Sequence, residues 1–448
     1  MSIATTDTPE MGRWEWVLLI AAVLIQQGAF IPMPSELLGN EAPVDALGNV
    51  LDPAESNPLN FAAMLASLVF IGILSIARFR ALVTVIKQNP LIVATTLLVI
   101  ASVAWSYDPA LTLRRAGTYS IGVLLALYLA SRCSFETVVR LLALSTVLPA
   151  VASLIYAVLM PDLAYMQGAE VEGSLRGVYS HKNQLANVLA IGFLLQIYLV
   201  QTTPHKARHC LLAALHVLLV VMAHSKASAL TLILIAGSLA LYRLGRLNRQ
   251  LAMLATLAGL ALIGVTALGA IEDPDGFFAL LGRDATLTGR TELWPRMPAI
   301  IAQSPWIGWG YSAFWQASNK IVQLLWYQIG WQPPHSHNGF IKVAIDFGVV
   351  GLLAAFLLIA RFTINAARRI DRGYEAWVYL CMIGYTLFNN IVEITILRGQ
   401  EFAWFTFLLF YMTAAVRGTV PVPTAEPIAG GILARARPLT AGDRSAAR

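Results

Sequence analysis

The chain has 448 residues, of which 57% are apolar and only 12% charged, whereas soluble domains carry about 25% charged residues. That composition excludes a water-soluble globular enzyme and an intrinsically disordered chain alike. The formal net charge of +6 is no argument for nucleic-acid binding, because membrane proteins gather Lys and Arg on their cytoplasmic loops.

A membrane-spanning helix needs ~20 mostly apolar residues. Apolar runs predict spans at 14–33, 59–77, 91–106, 116–131, 138–160, 183–201, 210–224, 227–243, 250–270, 338–360, 375–392 and 401–416. The expected fold is an all-α polytopic membrane protein with about twelve transmembrane helices. The run 17–25 has the length of a signal-peptide core. No small-x-small cleavage site follows it, so it reads as a retained first span. Residues 1–416 are expected to form one transmembrane domain, and 417–448, rich in Pro, Ala, Gly and Arg, a disordered cytoplasmic tail. The sequence has no evident internal repeat, which argues against transporter folds built from repeated halves.

Sorting the 31 Lys and Arg by loop sets the orientation. With the N-terminus inside, 20 fall on the cytoplasmic side and 11 on the outer side. The outer eleven are Arg114, Arg115, Arg176, Lys182, Lys226, Arg283, Arg290, Arg296, Lys320, Lys342 and Arg398. Basic groups kept where the bias disfavours them suggest an anionic ligand on that face; the competing explanation is interfacial snorkelling. None of Cys133, Cys210 and Cys381 falls on an outer loop in this topology, and no structural disulfide is expected.

The longest hydrophilic interval, 271–338, is the expected outer catalytic loop. It carries GRTELW (289–294) and closes on HSHN (335–338). The guanidinium fork of Arg290 can hold a phosphate bidentately, or pair with Glu292 or Asp284, and Trp294 offers a flat face for a sugar ring. His335 and His337 are candidate bases for a hydroxyl at neutral pH. Their spacing could also serve a metal, but no cluster of acids or cysteines completes such a site, and no metal or cofactor is expected.

Two other outer turns carry cations. RGVYSHKNQLAN (176–187) ends a loop and opens a helix. Arg176, Lys182 and the positive end of that helix, capped by Ser180 or His181, could clamp a diphosphate. WSYDPALTLRRAGTY (105–119) carries adjacent Arg114 and Arg115. They point about 100° apart on a helix, so only one can face the bundle centre. Lys342 and Asp346, one turn apart, predict an ion pair inside a helix. Arg398, at the last outer turn with Asn389, Asn390, Glu393 and Glu401, could join the anion site or pair with either glutamate.

WSYDPALTLRRA, RGVYSHKNQLAN, TGRTELW followed by PWIGWGYSAFW, and HSHNGFIKVAIDFGVVGLL occur in an order that resembles the O-antigen ligase and polymerase superfamily. They are most similar to its ExoQ-like exopolysaccharide-polymerase branch. The resemblance spans 105–353. It implies a metal-independent glycosyltransferase of the helical GT-C type at the outer face of the bacterial inner membrane. The implied donor is a glycan on undecaprenyl diphosphate, whose sugar C1 is attacked by an acceptor hydroxyl as lipid diphosphate leaves. By motif position, Arg176 and Arg290 would bind the diphosphate, His337 would orient or deprotonate the acceptor, and Arg115 and Lys182 would be supporting cations. A flippase and a chain-length regulator are the implied partners, and nucleic acid is not one. A ligase moving finished glycan to lipid A–core or protein uses the same chemistry. A transporter would instead line a polar route through both faces, whereas these clusters sit mostly on one.

Overall fold

The computed structural model describes residues 11–30, 58–167, 172–248, 250–251 and 289–415. The predicted span 250–270, most of the first outer loop, residues 271–288 of the catalytic loop and the tail lie outside the described residues.

Helices carry the described fold, and no strand accompanies them beyond one isolated bridge between Tyr165 and Leu175. In chain order they are α1 (Arg13–Gln26), α2 (Pro58–Ala77), α3 (Phe79–Gln88), α4 (Pro90–Ala101), α5 (Pro109–Arg132), α6 (Phe135–Leu159) and α7 (Lys182–Thr202). There follow α8 (Lys206–Met222), α9 (Lys226–Leu247), α10 (Lys320–Ile329), α11 (Gly339–Ala367), α12 (Tyr374–Val392) and α13 (Phe402–Ala415). Among the described residues, α6, α7, α9 and α11 are each long and apolar enough to cross a membrane. A fifth span is reached if the segments Ala62–Ala77 and Phe79–Gln88, bent by 96°, count as one. Large apolar side chains on the rim stay exposed, among them Ile73, Val158, Val221, Ile233, Leu353 and Phe356. A belt of that kind belongs against lipid rather than water.

Local chemistry accounts for the helix ends. Pro90 and Pro109 stand at first helical positions, where the missing N–H costs nothing. Asp108, Ser134, Ser225 and Asn338 each accept a hydrogen bond from a first-turn amide. At the centre, α7 packs on α6, α8, α9, α12 and α13. From Phe402 to Ala414 helix α13 is buried all round, which its uniformly apolar sequence allows.

Helix α11 is not continuous. Gly348 leaves the helical region (φ 61°, ψ −149°), and the turn after Ser304 threads into the break. Trp309 and Gly310 donate their amides to the carbonyls of Ile345 and Asp346 at 2.8 and 3.0 Å. On the other side of the break, Val349 and Val350 donate to the carbonyls of Pro305 and Trp306 at 2.8 and 3.1 Å. Two carbonyls and two amides freed by the break thereby find partners, as irregular backbone at membrane depth requires. The far side of the turn is gripped by the corner before α5. Tyr107 N–H reaches Trp309 O at 2.9 Å, Trp105 Nε1 reaches Ile307 O at 2.9 Å, and Thr112 Oγ1 reaches Tyr311 O at 3.1 Å.

This arrangement leaves no room for a Cβ at two glycines. At Gly308 (φ 65°) it would lie 2.4 Å from the backbone of Ile345 to Phe347, and at Gly348 it would lie 2.4 Å from Pro305 O. Gly308→Ala and Gly348→Ala should each therefore lower the melting temperature of the detergent-solubilised protein by several degrees. Gly330→Ala, with equally positive φ (76°) but nothing within 4 Å, should lose only the left-handed penalty of about 1 kcal/mol.

Candidate active site

Four elements converge at the end of the bundle where α7, α11 and α13 begin and α12 ends. The first is the segment before α11. Asn338 caps that helix through the amides of Phe340 and Ile341, both at 3.0 Å, and its own Nδ2 reaches Ile391 O at 3.1 Å. Just before it, His337 sits at φ 51°, a left-handed conformation that a non-glycine residue holds only under constraint. The constraint is visible: His337 N–H donates to His335 Nδ1 at 3.2 Å, and buried Ser336 donates Oγ to Asn338 O at 2.9 Å. The indole of Trp294 donates to Ser336 O at 2.9 Å, so this tryptophan braces the histidine turn from the 289–301 segment. The two imidazoles meet at a centroid distance of 4.0 Å, tilted by 56°, and Trp331 flanks His337 at 6.1 Å.

Burial pushes His337 down to about 3, with Arg290 and then His181 adding to it. Burial likewise holds His335 well below the usual imidazole range, with His337, Arg398, Arg290 and His181 adding to it. His181 is lowered to about 4 by desolvation of its ring and by Lys182 and Arg398. All three are thus favoured in the neutral form at pH 7, and Nδ1 of His181 and of His335 is already engaged as a hydrogen-bond acceptor. His337 Nδ1 is buried with no hydrogen-bond partner among the described residues.

The second element is the start of α7, where His181 Nδ1 caps the helix through Asn183 N–H at 3.1 Å. Lys182 Nζ donates to Ser174 Oγ at 3.2 Å. Arg176 donates Nε to Leu163 O at 2.9 Å, which anchors its stem to the turn after α6. Its described hydrogen bond therefore ties it to that turn rather than to the histidine pair. The third element supplies Arg290, whose Nη2 lies 3.8 Å from Glu393 Oε1. The fourth is the turn between α12 and α13, where Arg398 lies 3.8 Å from Glu401. Buried Asn390 fixes that turn, its Oδ1 accepting the amides of Thr395 and Ile396, both at 2.9 Å.

Arg114 and Arg115 separate as adjacent helical positions must. Arg114 is exposed, while Arg115 turns inward to the carbonyl of Ser312. Lys342 and Asp346 form the expected one-turn ion pair at 2.5 Å, with the ammonium 4.9 Å above the ring of Tyr311. Arg115 and Lys342 thus brace the inserted turn beneath the site. The sequence singled out neither Glu393 as a partner for Arg290 nor Asn183 as a partner for Glu393. The available signal was the acid standing beside cations at the last outer turn. Among the described residues, no group of three or more His, Cys, Asp or Glu could hold a metal ion.

Residues 211–356 match the model of the O-antigen ligase family, a stretch that contains Arg290, His335, His337 and the inserted turn. The exopolysaccharide production protein ExoQ of Rhizobium meliloti (strain 1021) is 28% identical over 358 residues, covering 74% of this chain and 77% of that protein. The chain is thus similar to O-antigen ligases over about a third of its length and to ExoQ over most of it. Its long apolar helices are those of a multi-pass membrane protein.

The site histidines make stability depend on acid. Their folded values, about 3 for His337 and about 4 for His181, lie below the ~6.5 of an unfolded imidazole. The unfolded chain therefore binds more protons below that value. Stability should be full above about pH 6.5 and fall as pH drops toward 4, read as melting temperature in detergent. His337→Gln should flatten that slope.

Proposed function

We propose that this protein is a polymerase of lipid-linked glycans: a metal-independent, GT-C-type glycosyltransferase of about twelve spans. It would act at the periplasmic face of the bacterial inner membrane, with both termini cytoplasmic. It joins oligosaccharide repeat units carried on undecaprenyl diphosphate into a longer chain. The observation that carries this reading is neutral, unpartnered His337 Nδ1 held beside the cations Arg290 and Arg398.

Each half of the reaction has a group suited to it. The acceptor hydroxyl gives its proton to His337 while its oxygen forms the new bond to the donor sugar's C1. The C1–O bond to phosphate breaks, and the electron pair leaves with undecaprenyl diphosphate. Arg290, with Arg176, Lys182 and Arg398 around the same face, neutralises the charge growing on that leaving group. His181, His335 and Trp294 complete the wall, and Arg115 and Arg114 lie further out on the supporting helix. Arrival of the diphosphate reverses the positive potential that depresses His337, raising its affinity for the proton at the moment it is needed.

A ligase transferring finished glycan to lipid A–core or protein is favoured by the family description of the matched stretch. The polymerase reading is preferred because the matched relative spans most of both chains and is named for exopolysaccharide production. A chain-length regulator and a flippase would be the polymerase's working partners.

His337→Ala should cut transfer by about 10²–10⁴-fold, the range for a positioned base, with unchanged protein in the membrane. Arg290→Ala should raise the KM for donor, and exposed Arg368→Ala on the opposite side should change neither constant. Mass spectrometry of undecaprenyl-linked glycans in cells lacking the protein separates the readings. Single repeat units with no long polymer mean polymerase, long polymer stranded on lipid means ligase, and unaltered lipid-linked glycan overturns both.

A further inference from the structure

Among the described residues, the acid placed against the candidate donor cation is Glu393, the residue that ends α12. Its side chain is largely shielded, at 17% exposure, as is that of Arg290 at 12%. Oε1 of Glu393 faces two groups from different parts of the chain. Asn183 Nδ2, from the first turn of α7, donates to it at 2.7 Å, while Arg290 Nη2 stands off at 3.8 Å. The amide contact is a short hydrogen bond; the arginine contact is a looser ion pair, beyond hydrogen-bond distance. Charge around the pair is positive, from Lys182 on α7 and Arg398 on the next turn. A carboxylate in that position does for the empty site what a phosphate oxygen would do for the loaded one.

Taking the diphosphate reading above as its basis, we propose that Glu393 is an internal stand-in for the donor's diphosphate. It holds Arg290 while the site is empty and reclaims it after transfer to speed release of the lipid diphosphate. The exchange is physically balanced. A diphosphate presents more charge than one carboxylate and can take the guanidinium fork bidentately, so it displaces Glu393. The displaced carboxylate is not stranded, because Asn183 keeps its hydrogen bond. Once the sugar has gone, the same carboxylate competes with the product for the arginine, and a site that grips diphosphate tightly still turns over.

The test is titration of inorganic pyrophosphate into the purified full-length protein in lipid nanodiscs, alongside turnover with donor. Glu393→Gln keeps the shape and the Asn183 contact but removes the competing charge. It should bind pyrophosphate about tenfold tighter, within the usual range of a coupling between two ligands, with lower donor KM and lower kcat. Unchanged or weaker binding overturns the proposal, and a merely structural role for Glu393 would give the weaker result. Glu393→Asp, which retains the carboxylate, should tighten pyrophosphate binding less than Glu393→Gln does. Asn183→Ala provides an arm with the opposite sign: a carboxylate no longer held aside should compete harder and weaken pyrophosphate binding, and tighter binding there overturns the proposal. Arg290→Ala separates the two levels. Lost pyrophosphate binding in that variant upholds the diphosphate site whatever Glu393 does, whereas wild-type binding removes the diphosphate reading and the exchange with it.

Discussion

The rest of the structure depends on four backbone hydrogen bonds between the turn 305–310 and the broken helix α11. An interrupted helix inside a bilayer is unstable unless its freed amides and carbonyls find partners, since water is not there to serve them. Here the partners come from the only long hydrophilic loop in the second half of the chain. That choice welds the outer loop to the bundle at the point where α11 begins to rise toward the histidines. The corner before α5 closes on the same turn through Tyr107, Trp105 and Thr112. Three stretches far apart in sequence thus become one rigid wall beneath the site.

On that wall the electrostatics are one-sided. Arg290 and Arg398 act on the histidine pair, Lys182 and Arg398 act on His181, and Glu393 and Glu401 stand against the arginines. Such a concentration of positive charge is costly in a partly desolvated setting and would relax if it served no purpose. Neutral histidines are the physical consequence: burial first, then the surrounding cations, strip them of their protons. An anion arriving at this site would lower the cost of the cations and restore basicity to the imidazoles in one step. Binding and proton transfer are coupled through the same field.

Much of this was legible in the sequence, and the reasons for what was not are specific. Apolar runs located α6, α7, α9 and α11 because a span must be long and apolar wherever it sits. Of the positive charges that the expected topology sets outside, Lys182, Arg290 and Arg398 lie near the histidines. The Lys342–Asp346 pair followed from helical spacing alone, as did the divergence of Arg114 from Arg115. The bend after Ala77 was invisible, since Arg78 and the amphipathic run behind it read equally well as a loop. So was the break in α11. Its signals were Gly308, Gly310 and Gly348, and glycine at three sites does not announce that two of the three positions face each other. Pairing of Arg290 with Glu393 was hidden for the same reason, since the partners lie 103 positions apart (393 − 290) and no local rule connects them.

The division between rigid and exchangeable contacts gives the site its character. His337 is held in a strained left-handed conformation by His335, by Ser336 and, through Ser336, by Trp294, so its position is paid for in advance by packing. Asn390 locks the turn that carries Arg398 with two short backbone contacts. Against these, the arginines meet their carboxylates only at 3.8 Å, for Arg290 and Arg398 alike. A hydroxyl-activating group must stand still to meet a sugar C1 at the right angle. The cations, by contrast, must grip a charged leaving group and then let it go, which a fixed, short ion pair would prevent. Loose pairing at the cations and tight bracing at the imidazole are therefore the same requirement seen from the two ends of one reaction.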